Sequence, residues 1–309
     1  MILIPILVLS SAYPIVSFAQ SDTLVPYPVK NLIYPAVSVR VLEKPGGYAF
    51  KYTIGNRHGA LQSIHEFMVE LKAPVKLSSA PEDWTLWDMD YDTIQVAIWF
   101  SSDSVADIDA GEVIGGYSLE TGGLPRISRC WLSALEIVQG KEGQYDPATA
   151  SIFTTSLQRT TIAPANPPSP LFPLIFLDTL LSFTHQSADL GWLGKGRNND
   201  CDDDERADEG IAKNIELRLQ KAKRELTKGD SVQTRKELEK LVQKVERVWK
   251  RSQEEEKKHK RDRWEKRDNL IMTSEAYALL KHNTECLIDR LPEKSKHGRG
   301  DDKDKKPKK

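Results

Sequence analysis

The chain has 309 residues, of which 39% are hydrophobic and 29% are charged, and its formal net charge is −1. This length suffices for two modest domains with a hydrophobic core each. Residues 1–190 hold 11 Lys or Arg against 19 Asp or Glu, whereas residues 191–309 hold 33 against 26. Because the basic half is so mixed in sign, we expect no nucleic-acid partner. The three cysteines, Cys130, Cys201 and Cys286, exclude a disulfide scaffold and zinc-type spacing, and their odd number leaves at least one thiol unpaired.

The first element is a predicted signal peptide over residues 1–19. This segment contains no charged side chain and ends in Ser17-Phe18-Ala19, which suits the small-residue rule of a secretory cleavage site. We expect cleavage before Gln20 and a secreted or cell-surface location, with no transmembrane segment after cleavage. Because no Lys or Arg precedes the apolar run, an uncleaved anchor remains the alternative, although Pro5 and Pro14 disfavour a long spanning helix.

Residues 20–162 are predicted to form β-strands. Apolar residues alternate from Val37 to Val41 and from Tyr48 to Ile54, and Pro45-Gly46-Gly47 between them has the composition of a hairpin turn. The run from Ile94 to Phe100 is apolar on both faces, which is typical of a strand inside a sheet. About seven such strands predict an immunoglobulin- or fibronectin-like β-sandwich.

One segment of this region is a candidate ligand site. Trp84, Trp87, Asp88 and Asp90 follow one another closely, so an exposed aromatic and acidic loop would suit sugars or a cation. The alternative is that the tryptophans fill the end of the sandwich and the aspartates only solvate the loop. Asp88 and Asp90 also have the residue types of a glycosidase pair. The sequence has no G-x-S-x-G, H-E-x-x-H or phosphate-binding glycine loop, so we expect no enzyme.

The order of short motifs in this half resembles the sandwich domain of uncharacterised exported bacterial proteins. These motifs are a Pro-x-x-Trp loop ending at Trp84, an Ile-x-Pro-Gly turn at 108–111 in which Ala110 replaces the proline, Gly116-Tyr117-Ser118, and Gly123-Leu124-Pro125. The resemblance implies a β-sandwich and export, and it implies no activity.

Residues 163–173 contain five prolines and are predicted to be a linker between two folded bodies. Such a run favours extended, polyproline-like backbone and acts as a semi-rigid spacer. Whether the two bodies dock across this linker or swing freely is left open by the sequence.

Residues 174–292 are predicted to form a small helical bundle. A mostly apolar helix ends near Leu190-Gly191, and a second carries apolar residues at steps of three and four from Ile211 to Leu226 and stops at Lys228-Gly229. A third has Leu238, Leu241, Val245 and Val248 at steps of three, four and three. The last follows the N-cap pair Thr273-Ser274 and ends before Pro292.

The helical part resembles the FIMAH-like module of exported bacterial proteins from about Asp178 to Leu291. The matching residues are Leu190-Gly191-Trp192, Gly210-Ile211, Lys228-Gly229-Asp230 and Glu275-Ala276-Tyr277-Ala278-Leu279-Leu280. The chain departs from the pattern at Asn214-Ile215, where Ser-Leu is usual, and at Arg218-Leu219, where Lys-Leu is usual. The resemblance implies an accessory or surface-associated part without a catalytic role.

Two insertions and a tail complete the chain. Within the acidic insertion 198–209, Asn198, Asp200, Asp202 and Glu209 occupy positions one, three, five and twelve of a possible Ca²⁺ loop. Asp203 stands where that loop needs glycine and Arg206 where an acceptor would help, so a solvated acidic insertion is the alternative. The charged insertion 250–268 is expected to extend the preceding helix into solvent. Residues 293–309 lack apolar side chains and are expected to be disordered.

These observations favour a secreted, monomeric and non-enzymatic binding or structural protein. Its sandwich loops would contact an extracellular protein or a glycan, and its helices would serve as an accessory or docking part. A calcium-stabilised carbohydrate or matrix binder and a glycosidase-type hydrolase are the alternatives.

Overall fold

The computed structural model describes residues 25–26, 32–75, 77–91, 94–134, 144–145, 156–194, 210–258 and 271–292. The predicted signal peptide, the acidic insertion 198–209, residues 259–268 of the charged insertion and the tail 293–309 lie outside these ranges. The described strands are β1 (Val25–Pro26), β2 (Pro35–Lys44), β3 (Gly47–Asn56), β4 (Glu66–Leu71), β5 (Leu77–Ser79), β6 (Trp84–Tyr91), β7 (Ile94–Ser101), β8 (Val113–Thr121), β9 (Leu124–Ser133), β10 (Gln144–Tyr145) and β11 (Leu157–Ala165). The described α-helices are α1 (Pro173–Asp189), α2 (Ile211–Thr227), α3 (Ser231–Lys258) and α4 (Ser274–Arg290).

The strands form a β-sandwich. One sheet has the order β11-β9-β4-β7-β6 and the other the order β2-β3-β8-β5, and neighbouring strands in both are antiparallel. The short strands β1 and β10 pair with each other. The predicted β-sandwich followed by a small helical bundle is therefore confirmed.

The core of the sandwich is built from the alternating residues of facing strands. Phe50, Tyr52 and Ile54 of β3 are fully buried, as the alternation predicts. Trp99 of β7 lies at the centre, stacked on Phe67 of β4 with ring centroids 5.3 Å apart. The hairpin between β2 and β3 turns at Pro45-Gly46, where Gly46 has a φ of 79° that glycine adopts without strain.

The last strand, β11, extends into the proline-rich segment. Ala163, Pro164 and Ala165, which the sequence prediction placed in the linker, continue the pairing with β9. Pro164 fits because β11 is at the edge of its sheet, where a residue without an N–H group removes no ladder bond. Its carbonyl oxygen accepts a hydrogen bond from the backbone N–H of Lys72 at 3.0 Å. The connection to the bundle is therefore confined to residues 166–172.

The four described helices correspond to the four predicted ones, and α3 extends beyond the predicted apolar positions Leu238 to Val248 in both directions. Helix α1 has Pro173 in its first turn, where the missing N–H needs no partner. Gly191 and Gly229 have φ values of 70° and 81° just beyond α1 and α2. Thr273 caps α4, since its side chain accepts a hydrogen bond from the N–H of Ala276. Among the described residues, no helix combines the length and the apolar character that crossing a bilayer requires.

Helix α4 docks the bundle on the sandwich. It packs against β2 and β9, the first being the edge strand of its sheet. The Glu275 side chain, 1% exposed, accepts a hydrogen bond from the N–H of Val39 in β2 at 2.9 Å. Asn283 Nδ2 donates to the carbonyl of Pro125 in β9 at 2.9 Å. At β2 the helix thus satisfies a backbone N–H group that an open sheet edge would expose to solvent.

The apolar contacts of the docking surface extend both cores. Ala278 and Leu279 of α4 and Phe183 of α1 belong to the core cluster of the sandwich. Conversely, Leu124 of β9 belongs to the core of the bundle. The sandwich and the helical bundle therefore pack against each other through a continuous interface and are not held apart by the linker.

Candidate functional site

The predicted ligand residues Trp84 and Trp87 lie on β6, an edge strand, rather than on a loop. Trp84 is 6% exposed, and its Nε1 donates to the carbonyl of Ala106 at 2.9 Å. Trp87 is 54% exposed and meets the ring of Phe100 edge-on at 4.7 Å. The side chains of Asp88 and Asp90, and the predicted metal ligands Asn198, Asp200, Asp202 and Glu209, lie outside the described residues.

The strand conformation separates the two tryptophans. Successive side chains of a strand point to opposite faces, so residues 84 and 87 face different sides of the sheet. Trp84 and Leu86 contact the sandwich core, whereas Trp87 faces outward. The hypothesis that both tryptophans form one exposed surface is therefore corrected, and only Trp87 remains accessible.

A Ser-His-Asp cluster lies at the C-terminal end of β7, where Ser101 is the cross-strand partner of Trp84. Ser101 Oγ and Asp107 Oδ1 both contact His65 Nδ1, at 2.7 Å and 2.9 Å, and Ser101 also donates a hydrogen bond to Asp107. In a catalytic triad the serine and the carboxylate engage different ring nitrogens, so that the imidazole relays a proton between them. Here they share one nitrogen and Ser101 is 3% exposed. The cluster is arranged to fix the loop before Asp107 rather than to activate a nucleophile.

A cluster of charged and titratable side chains lies where α4 meets β2. Glu43 of β2 and Lys281, His282 and Glu285 of α4 form this junction cluster. Lys281 Nζ lies 2.5 Å from Glu43 Oε1 and 2.8 Å from Glu285 Oε1, so it bridges the two carboxylates. One partner comes from the sandwich and the other from the bundle, which makes the cluster part of the docking surface.

His282 is the buried member of the junction cluster. It is 2% exposed, and neither of its ring nitrogens makes a hydrogen bond. Nδ1 lies 3.5 Å from Glu43 Oε1 and 3.5 Å from Glu285 Oε2. The ring packs against that of Tyr48 with centroids 4.8 Å apart. A buried ring nitrogen without a hydrogen bond is uncommon, because its desolvation is not compensated.

The protonation equilibria of the cluster reflect this arrangement. Burial raises the pKa of Glu285, but the contacts with His282 and Lys281 outweigh burial and lower it. For Lys281 burial lowers the pKa, while the hydrogen bonds with Glu285 and Glu43 dominate and raise it. Burial, together with the charges of neighbouring acidic groups, raises the pKa of Tyr48 to about 12. At neutral pH Lys281 is therefore an ammonium group and Glu285 a carboxylate.

A groove of about 280 Å³ opens beside the junction cluster. Its wall includes Trp249 of α3 and Tyr277 of α4, whose rings are nearly parallel with centroids 5.2 Å apart. Both rings are half-buried. The residues that line the groove are Arg40, Val41, Leu42, Glu43, Trp249, Gln253, Ser274, Tyr277 and His282.

Sequence reasoning missed the junction cluster and the groove. The only local signal is the pair His282 and Glu285, which are three residues apart and so share one face of a helix. Glu43 precedes Lys281 by 238 positions, and nothing in either segment indicates their contact. Cys130 and Cys286 are free thiols, and burial raises the pKa of Cys130 to about 12, which disfavours a reactive thiolate there.

Comparison with known proteins does not assign this chain to a family. No family model and no curated protein matches the chain. An uncharacterised Nocardia farcinica protein with an immunoglobulin-like fold aligns at 10% identity over 40% of this chain and 96% of its own, with a TM-score of 0.26. A cohesin module from a Clostridium perfringens ATCC13124 family 33 glycoside hydrolase aligns at 9% identity over 44% of this chain and 98% of its own, also with a TM-score of 0.26. Likenesses this weak carry no argument, so the sandwich assignment rests on the strand pairing itself.

Proposed function

We propose that this chain is a secreted, non-enzymatic binding protein whose ligand, a glycan, occupies the groove between β2 and helices α3 and α4. Two parts of this proposal, the export signal and the FIMAH-like character of the helices, rest on the amino-acid sequence alone. The helical part is then a fixed wall of the binding site rather than a separate accessory domain.

The observation that carries the proposal is the composition of the groove. A half-buried aromatic pair, Trp249 and Tyr277, lines the groove together with Arg40, which carries a guanidinium group, and Gln253, which carries an amide. Ligand sites combine an apolar or aromatic surface with a few polar groups that fix orientation. A sugar ring offers both complements, because its C–H groups pack on aromatic surface and its hydroxyls exchange hydrogen bonds with an amide or a guanidinium.

The docked arrangement supports a non-enzymatic role for this groove. Its carboxylate Glu43 is bonded to Lys281, so it is not free to act as a general base. Trp87 on β6 is the competing contact surface, since it is exposed and lies next to Phe100. The two surfaces belong to different strands and can be separated by mutation.

A glycan array with three forms of the full-length chain tests the proposal. The double variant Arg40→Ala and Gln253→Ala removes the polar groups of the groove, and Trp87→Ala removes the exposed ring of β6. We expect the wild-type protein and Trp87→Ala to retain the same glycans, and the groove variant to lose them by tenfold or more in affinity. An empty array for the wild type would reject a glycan ligand, and loss of binding only in Trp87→Ala would move the site to β6.

A further inference from the structure

We infer that Glu43, His282 and Glu285 form a binding site for a divalent metal ion of the zinc class, which joins helix α4 to strand β2. Glu43 and His282 also line the groove, but the inference does not rest on the proposed function, because it is tested without a glycan.

The first argument is the geometry of the ligand atoms. One nitrogen of His282 and one oxygen from each carboxylate lie within 4.8 Å of one another. Zinc binds His nitrogen and carboxylate oxygen at about 2.0–2.2 Å, so neighbouring ligand atoms of a tetrahedral site are about 3.3–3.6 Å apart. His282 Nδ1 is already 3.5 Å from an oxygen of each glutamate. A tetrahedral ion thus needs only a small movement of Glu43, whose side chain is 60% exposed, and a water molecule as fourth ligand.

The second argument is the state of the histidine. His282 is almost fully buried, and both of its ring nitrogens are without a hydrogen bond. A metal bond to Nδ1 supplies a closer partner than the two carboxylate oxygens, which lie 3.5 Å away. The i, i+3 spacing places His282 and Glu285 on adjacent turns of one helix face, so α4 offers two ligands at once.

The donor set indicates the class of ion. Ca²⁺ and Mg²⁺ require oxygen ligands, and Ca²⁺ needs six to eight of them. One imidazole with two carboxylates suits zinc and the neighbouring transition metals instead. The site is therefore distinct in chemistry from the predicted Ca²⁺ loop at Asn198 to Glu209.

Lys281 is the competitor for this ion. Its ammonium group bonds to both carboxylates, at 2.5 Å from Glu43 and 2.8 Å from Glu285. A bound metal must share these oxygens with it or displace it, and the positive charge nearby opposes the ion. Other charged and titratable groups near the site, among the described residues, include Arg40 of β2, Tyr48 of β3, Glu246 of α3 and, on α4, Tyr277 and Cys286. Removing the Lys281 charge should therefore tighten metal binding even though it weakens the metal-free contact.

Metal binding to the full-length protein tests the site, with Co²⁺ as an absorbing probe and Zn²⁺ measured by competition with a chelating dye. His282→Phe keeps the ring and its packing on Tyr48 but removes the ligand atom, and Glu285→Gln removes a charged oxygen. Lys281→Met removes the competitor. His185→Phe is the matched control, because His185 lies on α1 with a side chain 59% exposed.

The wild type and the His185 variant should bind one ion with the visible band of a four-coordinate Co²⁺ site. His282→Phe and Glu285→Gln should lose affinity by more than about 100-fold, since loss of an outer-shell partner alone costs about 10- to 100-fold. Lys281→Met should bind more tightly than the wild type. Absence of binding in the wild type, or equal binding in the His282 and Glu285 variants, would overturn the inference. Thermal melting without metal checks that each variant is folded. If His282→Phe does not fold, the metal affinity of Glu285→Gln tests the inference.

Discussion

Glu275 is predicted to be the most important single polar residue of the docking surface. Its carboxylate and the Val39 N–H that it binds are both buried, and Glu275 also lies in the first turn of α4. Glu275→Ala leaves the Val39 N–H without its acceptor. A hydrogen bond to a charged group contributes about 1.5–3 kcal/mol, and an acidic residue at a helix N-terminus about 0.3–1 kcal/mol. We therefore expect the free energy of unfolding to fall by about 2–4 kcal/mol.

Urea unfolding at neutral pH measures this change from the midpoint, provided that the m-value is unaltered. Glu275→Gln keeps a side-chain oxygen in the same place and should lose about half as much. Glu239→Ala on the exposed face of α3 is the control, and it should stay within about 0.5 kcal/mol of the wild type. If Glu275→Ala is no more destabilising than Glu239→Ala, α4 does not depend on this bond and the account of docking is wrong.

Two further predictions concern the bundle and the hairpin. Glu237 is 1% exposed and binds Lys221 at 3.2 Å and Lys240 at 3.1 Å. Burial raises the pKa of Glu237, but the two lysines outweigh burial and lower this pKa below its ordinary value of 4.5. Its stabilisation should therefore be complete above about pH 5 and lost as the pH falls through the lowered pKa, so the stability difference between wild type and Glu237→Gln should shrink in acid. A pH-independent difference in urea unfolding would contradict this. Gly47→Ala should cost about 1–3 kcal/mol, because the new methyl group would overlap the backbone carbonyl of Thr121, and an unchanged melting temperature would disprove the overlap.

Local sequence signals were sufficient for most of the fold. Alternation identified the hairpin of β2 and β3 because one face of each strand is buried, and the steps of three and four identified the helices for the same reason. Gly191 and Gly229 marked helix ends because their positive φ values suit glycine. These features depend on residues near one another in the chain.

The site was not predictable from such signals. Strand β6 was interpreted as a loop because a turn-forming Pro-Glu-Asp sequence precedes it and aspartates alternate with its apolar residues. The position of Glu275 in a first helical turn already explains an acidic residue there. Its hydrogen bond to Val39, 236 positions away, therefore cannot be inferred from the sequence. The junction cluster likewise exists only once α4 lies against β2.

The docking of α4 on β2 has a consequence for the order in which the chain is made. Val39 is synthesised early, but the glutamate that satisfies its N–H follows 236 residues later. Until α4 is complete, a nascent or truncated chain presents the edge of β2 unpaired, and such an edge is a template for association with other strands. Chains that stop short of α4 are therefore expected to aggregate through β2, and a chaperone that holds this edge would favour correct assembly.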